Sequence, residues 1–320
     1  MQNWLNTYRR YACDIDRINL EAKRNPEDLI QTVEKIFHYD IRQITDRIIS
    51  NPVGRHIVFL SGPSSSGKTT TGKKLAEAFE HKGFHTIMIS MDDFYLGKDH
   101  VRILPNGKYD FESVYALDIP LMKRCVEEII QTGECDIPVY DFPNSARSDL
   151  TRHIRLEKNS VVIIEGIHAL NTIFDDMIPR EYVSKVYVAV KQGVKDNEKY
   201  VLTNRQVRLV RRIIRDHSFR GTAPEKLIGM WEDVVDGEQK NIRPFRYTSD
   251  FTLNSIHIYE PCIMKEKAIT LLKTVDPSAE EGKIAAALLN SLSRFEPIDP
   301  SLVPDNSLMR EFIGGGIYEY

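Results

Sequence analysis

The stretch Gly62-Pro63-Ser64-Ser65-Ser66-Gly67-Lys68-Thr69, GPSSSGKT, follows the short apolar run 57–60, IVFL. It fits the pattern G-x-x-x-x-G-K-[ST] at every required position. In this pattern the glycines let the backbone curl, so that successive N–H groups point inward at phosphate oxygens. The lysine then reaches the outer phosphates, and the hydroxyl after it can bind Mg²⁺. The sequence therefore predicts a buried strand, a phosphate-binding loop and a helix that begins near Lys68.

We expect the phosphates of a donor nucleotide and a magnesium ion to bind at this loop. The positive end of the helix dipole adds to the attraction for phosphate. Lys68 is predicted to be a catalytic residue and Thr69 a ligand of the metal. The predicted nucleotide contacts are Gly62, Pro63, Ser64, Ser65, Ser66, Gly67, Lys68, Thr69 and Thr70.

Strands and helices are predicted to alternate after this loop. Short apolar runs, typical of strands buried on both faces, occur at 56–61, 85–91, 160–165, 185–190 and 250–254. Helices are predicted at 68–82, 118–132, about 195–218, 224–238, 261–273 and about 278–294. The expected fold is therefore α/β, a doubly wound and mainly parallel sheet of the P-loop NTPase type, with helical extensions at both ends.

The domain organisation is predicted from breaks in these patterns. Residues 1–52 form an N-terminal helical extension that ends at the breaker Asn51-Pro52-Val53-Gly54. Residues 53–275 form the P-loop domain, with a lid at about 200–222. Residues 276–320 form a C-terminal helix and tail. The two extensions carry no recognisable chemistry, and packing on the central domain is the expected role, with self-association left open.

Composition excludes several classes of protein. Lys plus Arg number 43 against 46 for Asp plus Glu, so no overall basic field predicts a nucleic-acid or membrane partner. Four cysteines without a C-x-x-C pair argue against a disulfide framework or a zinc site, which fits a reducing cytoplasm. The N-terminal residues lack the apolar core of a signal peptide, and no apolar run approaches a membrane span.

Carboxylates follow two of the predicted strands. Asp92 and Asp93 end the strand at 85–91, and Glu165 ends the strand at 160–165. The carboxyl ends of parallel strands share one edge of a sheet, so these side chains are expected beside the phosphate loop. Glu165 and Asp92 are therefore candidate metal ligands with Thr69, and Asp92 is the candidate that accepts or positions the proton of an attacking hydroxyl.

Six segments occur in an order that resembles the uridine kinase family, within the uridine kinase and phosphoribulokinase group. They are GPSSSGKTTTGKKLA, SMDDFY, YDFESVYALD, IPVYDF, VVIIEGIHAL and VRLVRRIIRDHSFRG. YDFESVYALD particularly resembles long bacterial nucleoside-kinase-like proteins. The resemblance covers about residues 55–275 and implies ATP as the donor.

The resemblance implies roles for matched positions on the acceptor side. Asp92 matches the catalytic carboxylate, and Glu112 falls where uridine kinases use an Asp to hold the ribose hydroxyls. Tyr140 and Phe142 match aromatic residues of the base pocket, and Arg147 matches a basic residue in the same loop. Two positions depart from the family pattern, Ser145 in place of a His and Lys226 in place of a Gln. Uridine specificity therefore does not carry over.

Arginines form a stripe on the helix predicted at 195–218. Arg208, Arg211, Arg212 and Arg215 have the spacing i, i+3, i+4, i+7, which places them on one helical face. Four positive charges on one face repel each other unless anions lie between them. Nearly every arginine lacks an acid four residues earlier, so phosphate is the expected partner. A solvated face and a nucleic-acid contact are the alternatives. In the resembling family this segment is the lid, which places Arg208 at the acceptor and Arg211 and Arg212 at the ATP, with Arg211 catalytic.

The predicted activity is phosphoryl transfer from MgATP to the 5′-hydroxyl of a nucleoside. One alternative keeps the kinase chemistry but changes the acceptor to a sugar, a sugar phosphate or another small alcohol. A second alternative is an ATPase without an acceptor, and a third is a non-catalytic binding module. The acceptor segments YDFE and PVYDF argue against the second, and retention of Lys68, Thr69, Asp92 and Glu165 argues against the third.

Overall fold

The structure is a computed structural model that describes residues 5–6, 13–52, 55–103, 107, 109–141, 144, 146–176 and 178–319. Its strands are β1 Leu5–Asn6, β2 Arg55–Ser61, β3 His85–Ser90, β4 Glu134–Asp141, β5 Ala146–Arg155, β6 Ser160–Glu165, β7 Val183–Ala189, β8 Val194–Asp196, β9 Lys199–Leu202 and β10 Phe251–Asn254. Its α-helices are α1 Ile15–Arg24, α2 Pro26–Ile49, α3 Lys68–Glu80, α4 Ile119–Gln131, α5 Asn204–Arg220, α6 Pro224–Gly229, α7 Trp231–Asn241, α8 Glu260–Leu272, α9 Glu280–Ser293 and α10 Arg310–Ile313.

The main sheet is parallel, and its order within the described residues is β1-β10-β7-β2-β6-β3. Strand β2 leads into the phosphate loop and lies between β6 and β7. The chain leaves β2 through α3 toward β3 on one side, and later crosses to β7 on the other side. The order of the strands therefore reverses beside β2, and crevices at such points are where α/β sheets bind ligands. This confirms the predicted doubly wound parallel sheet.

Alternate residues of the central strands are buried on opposite faces of the sheet. Val58 and Leu60 of β2 belong to one apolar core, with helices α1, α2, α3, α5, α8 and α9. Ile57 and Phe59 belong to the other core, with α4 and β4. A strand covered on both faces needs apolar side chains at successive positions, which explains why the runs are continuous rather than alternating.

Three parts of the predicted secondary structure were wrong. The single helix predicted at 224–238 is divided at Met230 into α6 and α7. The helix expected from about residue 195 begins only at α5, and an antiparallel hairpin of β8 and β9 precedes it. Thr203 caps α5 by a capping box with Gln206, which fixes the start of the helix. The prediction also missed the antiparallel pair β4 and β5, whose second strand is mostly exposed and polar.

Buried hydrogen bonds join the N-terminal and C-terminal segments to the central domain. The Tyr259 hydroxyl, next to α8, donates to Glu34 Oε1 of α2 at 2.6 Å. The Ser307 hydroxyl, from the C-terminal segment, donates to the same oxygen. All three side chains are buried, and residues of all three predicted segments share one apolar core. The division of the chain into domains at residues 52 and 275 stays a prediction.

The C-terminal segment packs against the helix that follows the phosphate loop. Leu308, Met309 and Phe312 are fully buried, and the Tyr318 hydroxyl donates to Glu77 of α3 at 2.7 Å. The ring of Phe312 lies 4.8 Å from the guanidinium carbon of Arg211 on α5. The segment therefore forms part of the core next to the loop. Among the described residues, no helix combines the length and apolar character that crossing a membrane requires.

We expect Phe312→Ala to lower the free energy of unfolding by about 3–5 kcal/mol, the usual cost of emptying an aromatic position in a core. Urea unfolding followed by circular dichroism measures this change. Ile317→Ala is the matched control, because Ile317 lies five residues further along and is 58% exposed. A loss at Phe312 no larger than the loss at Ile317 would show that the C-terminal segment is not part of the core.

Candidate active site

The phosphate loop connects β2 to α3, and its two glycines are required by sterics. A Cβ on Gly62 would lie 2.0 Å from the carbonyl oxygen of Val188 on β7, so no side chain fits there. Gly67 has φ 85°, and a Cβ there would meet the Leu308 side chain at 2.7 Å. Ser65 also has positive φ, 58°, which is uncommon for a residue other than glycine. The loop is thus curled tightly against β7 and the C-terminal segment.

An open cleft of about 250 Å³ lies over this loop at the carboxyl edge of the sheet. It gathers residues from the ends of β3 and β6, from α5 and α7, and from the C-terminal segment. Among the described residues, its lining consists of Ser64, Ser65, Ser66, Gly67, Lys68, Thr69, Asp92, Tyr95, Glu112, Glu165, Gly166, Ile167, Arg215, Arg220, Val234, Glu238, Ile242 and Glu311.

The structure brings Asp92 and Lys68 to the same cleft. Asp92 lies in a 3₁₀ turn after β3, where Ser90 accepts a hydrogen bond from the Asp92 backbone N–H at 3.3 Å. Burial raises the pKa of Asp92, and the positive charges of Lys68 and Arg220 oppose this rise. A carboxylate with restricted solvation beside a lysine suits proton transfer or orientation of a hydroxyl.

Glu165 is the last residue of β6 and lies in the cleft beside the loop. Burial raises its pKa to about 7; Lys68 opposes the rise, and the nearby carboxylates of Asp92 and Glu311 add to it. A buried acid whose charge is destabilised in this way gains from a cation placed next to it. Glu165 therefore lies beside the phosphate loop, where the sequence analysis expected it.

Glu112 reaches the cleft from the loop before α4. Burial raises its pKa, whereas Arg212 and Lys68 oppose the rise. Its side chain packs against Gly237 of α7, where a Cβ would approach the Glu112 Cγ to 3.1 Å. The absence of a side chain at 237 leaves the space that Glu112 occupies. Glu112 is thus held in the cleft.

Thr69, Asp92 and Glu165 supply oxygen atoms to one cleft, which fits Mg²⁺, a cation that prefers oxygen ligands. Within the described residues, no three His, Cys, Asp or Glu side chains are arranged to hold a metal. Mg²⁺ usually binds through one or two protein oxygens together with substrate phosphates and water. The residues that would hold it are Thr69 and Glu165, with Asp92 nearby.

Arg208 supports the loop from behind rather than from the open side. Its Nε donates to the carbonyl oxygen of Ser64 at 2.9 Å, and its Nη1 pairs with Glu238 Oε2 at 2.7 Å. The guanidinium carbon lies 5.5 Å from the ring of Trp231. Both the loop and the acidic side chain of α7 therefore depend on this one buried arginine.

Arg211 is 0% exposed and lies outside the set of described residues that line the cleft. It makes a bidentate pair with Glu260, the first residue of α8, at 2.5 and 2.9 Å. It also donates to the carbonyl oxygens of Ser65, at 3.3 Å, and Ser255, at 2.8 Å. The structure thus places Arg211 behind the loop, whereas the sequence analysis expected it at the nucleotide.

Three further arginines of α5 share one acid, Asp216. Arg212 Nε, Arg215 Nε and Arg220 Nη1 lie 3.4, 2.8 and 3.5 Å from its carboxylate oxygens. Arg212 also donates to the Ser64 hydroxyl at 3.2 Å. The sequence analysis considered only acids four residues before each arginine, whereas Asp216 lies four residues after Arg212. Arg215 and Arg220 line the cleft, and Arg212 contacts the loop from its side.

The aromatic residues of the acceptor side form a cluster next to the cleft. Tyr95 lines it, and the rings of Tyr95 and Tyr140 lie 5.7 Å apart. Arg147 pairs with Asp118 at 3.0 Å, at the start of α4, and the structure does not bring it to the cleft. Phe142 and Ser145 lie outside the described residues. Lys226 is exposed on α6.

Sequence reasoning missed several residues of the cleft. Tyr95 follows the SMDD segment directly, and its position there was the available signal. Glu238 and Glu311 are brought in by tertiary folding, from α7 and from the C-terminal segment. No spacing in the sequence points to either of them, because their partners Arg208 and Thr70 lie 30 and 241 residues away.

The comparison with known proteins agrees with this geometry. The model of the Phosphoribulokinase / Uridine kinase family matches residues 57–258. The uridine kinase of Macrococcus caseolyticus is 29% identical over 180 residues, which cover 56% of this chain and 77% of that protein. The uridine kinase of Bacillus pumilus is 29% identical over 186 residues, 58% of this chain and 78% of that protein.

Among solved structures, phosphoribulokinase from Rhodobacter spheroides has 17% sequence identity and a TM-score of 0.42. The alignment covers 62% of this chain and 69% of that one. The family model spans more than half of the chain and includes the loop, Asp92, Glu165 and the arginine helix. The chain therefore belongs to the Phosphoribulokinase / Uridine kinase family and is a kinase of that family.

Proposed function

We propose that this kinase transfers the γ-phosphoryl group of ATP to the 5′-hydroxyl of a nucleoside of the uridine or cytidine type. The observation that carries the proposal is the shared cleft, which Asp92 and Glu112 line together with the phosphate loop and Lys68. A loop alone would suit an ATPase. A carboxylate beside the loop and a second one in the same cleft suit a bound alcohol that carries further hydroxyl groups.

The donor half of the site consists of the loop, Lys68 and the first residues of α3. The N–H groups of the loop and of the helix start would bind the phosphates, and Lys68 would reach the outer ones. Magnesium, when bound at Thr69 and Glu165, would neutralise charge on the phosphates. Arg208 and Arg211 keep the loop curled by holding the carbonyl oxygens of Ser64 and Ser65.

The acceptor half uses carboxylates and aromatic rings. Asp92 would orient the acceptor hydroxyl and accept its proton as the O–P bond forms. Glu112 would accept hydrogen bonds from vicinal hydroxyl groups of the ribose. Tyr95 and Tyr140 offer ring faces next to these groups, which suits a planar base. Arg147 and Phe142 keep only the roles that the family resemblance gave them.

The charges of the acceptor side favour a neutral acceptor over a sugar phosphate. Asp92, Glu112 and Glu238 line the cleft. The buried Arg208 is already paired with Glu238 at 2.7 Å and bound to Ser64. A phosphorylated acceptor would add negative charge beside three carboxylates, whereas the hydroxyl groups of a nucleoside or a free sugar would donate hydrogen bonds to them.

Arg215 and Arg220 are the arginines best placed to act during transfer. Both line the cleft, and both share Asp216 behind them. Charge that builds up on the transferring phosphoryl group would be stabilised by such guanidinium groups. The role that the sequence analysis gave to Arg211 is thus better served by these two residues, and Arg211 acts by positioning the loop.

We expect Asp92→Asn to lower turnover of uridine by about 10²–10⁴-fold, since Asn cannot accept the hydroxyl proton. The affinity for MgATP should fall by less than about threefold, because the loop and Lys68 are unaltered. Steady-state ADP release and calorimetric titration measure the two quantities. Asp176→Asn, an exposed acid outside the cleft, is the control for the loss of one charge. Full turnover by Asp92→Asn would remove the proposed proton acceptor.

We expect Glu165→Gln to stabilise the metal-free protein at about pH 8.5, by about 2–4 kcal/mol. Because the pKa of Glu165 is raised to about 7, the folded state binds more protons than the unfolded state between about pH 4.5 and 7. Stability of the natural protein therefore falls as pH rises through this range, and the variant lacks this loss. Urea unfolding in EDTA at about pH 4 and 8.5 tests it, and a difference of the same size at both pH values would contradict it.

The acceptor itself is tested by ADP release with a matched panel. We expect uridine or cytidine to stimulate release at least tenfold over ATP alone, and ribulose 5-phosphate to give no stimulation. Glu112→Gln should raise the KM for the nucleoside by about 10-fold or more and leave the KM for ATP unchanged. Release stimulated only by a free sugar would favour the alternative alcohol acceptor. Release independent of any acceptor would favour an ATPase.

A further inference from the structure

A segment near the C-terminus forms one wall of the donor side of the cleft. We call residues 307–313 the C-terminal wall. Leu308 packs on Gly67 at the start of α3, and Met309 and Phe312 are fully buried. The wall is therefore fixed in the core of the protein. One side chain from it, Glu311, points into the cleft and is 6% exposed.

The Glu311 carboxylate occupies the amino end of α3. Its Oε2 accepts a hydrogen bond from the Thr70 hydroxyl at 2.7 Å and lies 3.4 Å from the Thr70 backbone nitrogen, which also donates to it. Its Oε1 lies 3.7 Å from Nη1 of Arg215. Thr70 is the third residue of α3, so its N–H belongs to the first turn, whose N–H groups point toward an anion.

The donor phosphates need the same groups. In a phosphate loop that opens into a helix, the N–H groups of the loop and of the first helical turn bind the phosphate oxygens. Thr70 follows Lys68 and Thr69 directly, so its N–H and hydroxyl lie in that set. A phosphate oxygen and the Glu311 carboxylate are both acceptors, and they compete for these two donors.

The charges in the cleft oppose a nucleotide while Glu311 stays in place. The cationic side chains that line it are Lys68, Arg215 and Arg220. The carboxylates that line it are Asp92, Glu112, Glu165, Glu238 and Glu311. Glu311 also adds to the repulsion felt by Glu165, whose charged form would bind magnesium. The repulsion between Glu311 and a nucleotide and the repulsion between Glu311 and Glu165 both weaken if Glu311 moves away from Thr70.

We infer that Glu311 is a built-in competitor of the donor nucleotide and thereby sets its affinity. In the free enzyme its carboxylate binds the Thr70 hydroxyl and N–H. When the nucleotide binds, a phosphate oxygen takes these donors, and the Glu311 side chain turns fully to Arg215, which it already approaches. The backbone of the C-terminal wall stays in place, because Leu308, Met309 and Phe312 anchor it. This inference rests on the proposed donor site.

The test compares nucleotide binding by the natural protein, Glu311→Gln and Glu311→Ala, measured by calorimetry. We expect both variants to bind MgATP about tenfold more tightly, the size of effect that one like charge near a bound anion produces in a partly solvated site. The Gln side chain still accepts the Thr70 hydrogen bond, so the loop keeps its support. Glu266→Gln, an exposed acid on α8, controls for the change in net charge.

A second readout separates competition by charge from a structural role. ATP without magnesium carries more negative charge than MgATP, so removal of Glu311 should tighten its binding by a larger factor. A purely structural effect would change both affinities by the same factor. Equal factors, or unchanged or weaker binding by both variants, would overturn the inference and leave the proposed function intact. If the folded natural protein and both variants bind no nucleotide, the donor site fails and the inference fails with it.

Discussion

The curl of the phosphate loop is the constraint on which the rest of the site depends. N–H groups that point inward at phosphate leave carbonyl groups that point outward, and buried carbonyl groups need donors. Arg208 and Arg211 supply them, at 2.9 Å to Ser64 and 3.3 Å to Ser65. The arginine helix α5 therefore fixes the shape of the loop in addition to any contact with substrate. A helix with this task must be packed firmly, and its apolar side is buried in the core next to α8.

Placing several arginines at one loop requires nearby negative charge, and the fold takes it from three elements. Glu238 of α7 pairs with Arg208, and Glu260 of α8 pairs with Arg211. Asp216 of α5 itself pairs with Arg212, Arg215 and Arg220. Buried pairs of this kind lose much of their Coulomb attraction to desolvation, so their main contribution is position rather than net stability. Removing one partner would leave a buried charge unpaired, which costs far more than the pair contributes.

Local sequence patterns made most of the fold predictable, but they did not predict the tertiary partners of the arginines. Continuous apolar runs located the strands around β2, and the loop motif located the first residue of α3. The hairpin of β8 and β9 was missed, because its charged residues continue into the charged sequence of α5. The side of the loop on which Arg211 lies depends on Glu260, 49 residues away. A single sequence gives helical spacing, but it does not give the distant acid that turns one arginine inward and leaves another in the cleft.

The terminal segments lie next to the chemistry, whereas the sequence analysis expected them to pack on the central domain and left self-association open. Glu34 of α2 accepts hydrogen bonds from Tyr259 and Ser307, so the N-terminal helix helps to hold the start of α8 and the C-terminal wall together. The start of α8 holds Arg211, and the wall holds Leu308 against Gly67. The contacts through Arg211 and those through Leu308 both lead to the phosphate loop. A kinase core cut at residues 53 and 275 would therefore lose partners of the loop, and its curl would depend on the remaining contacts of Arg208 and Arg211.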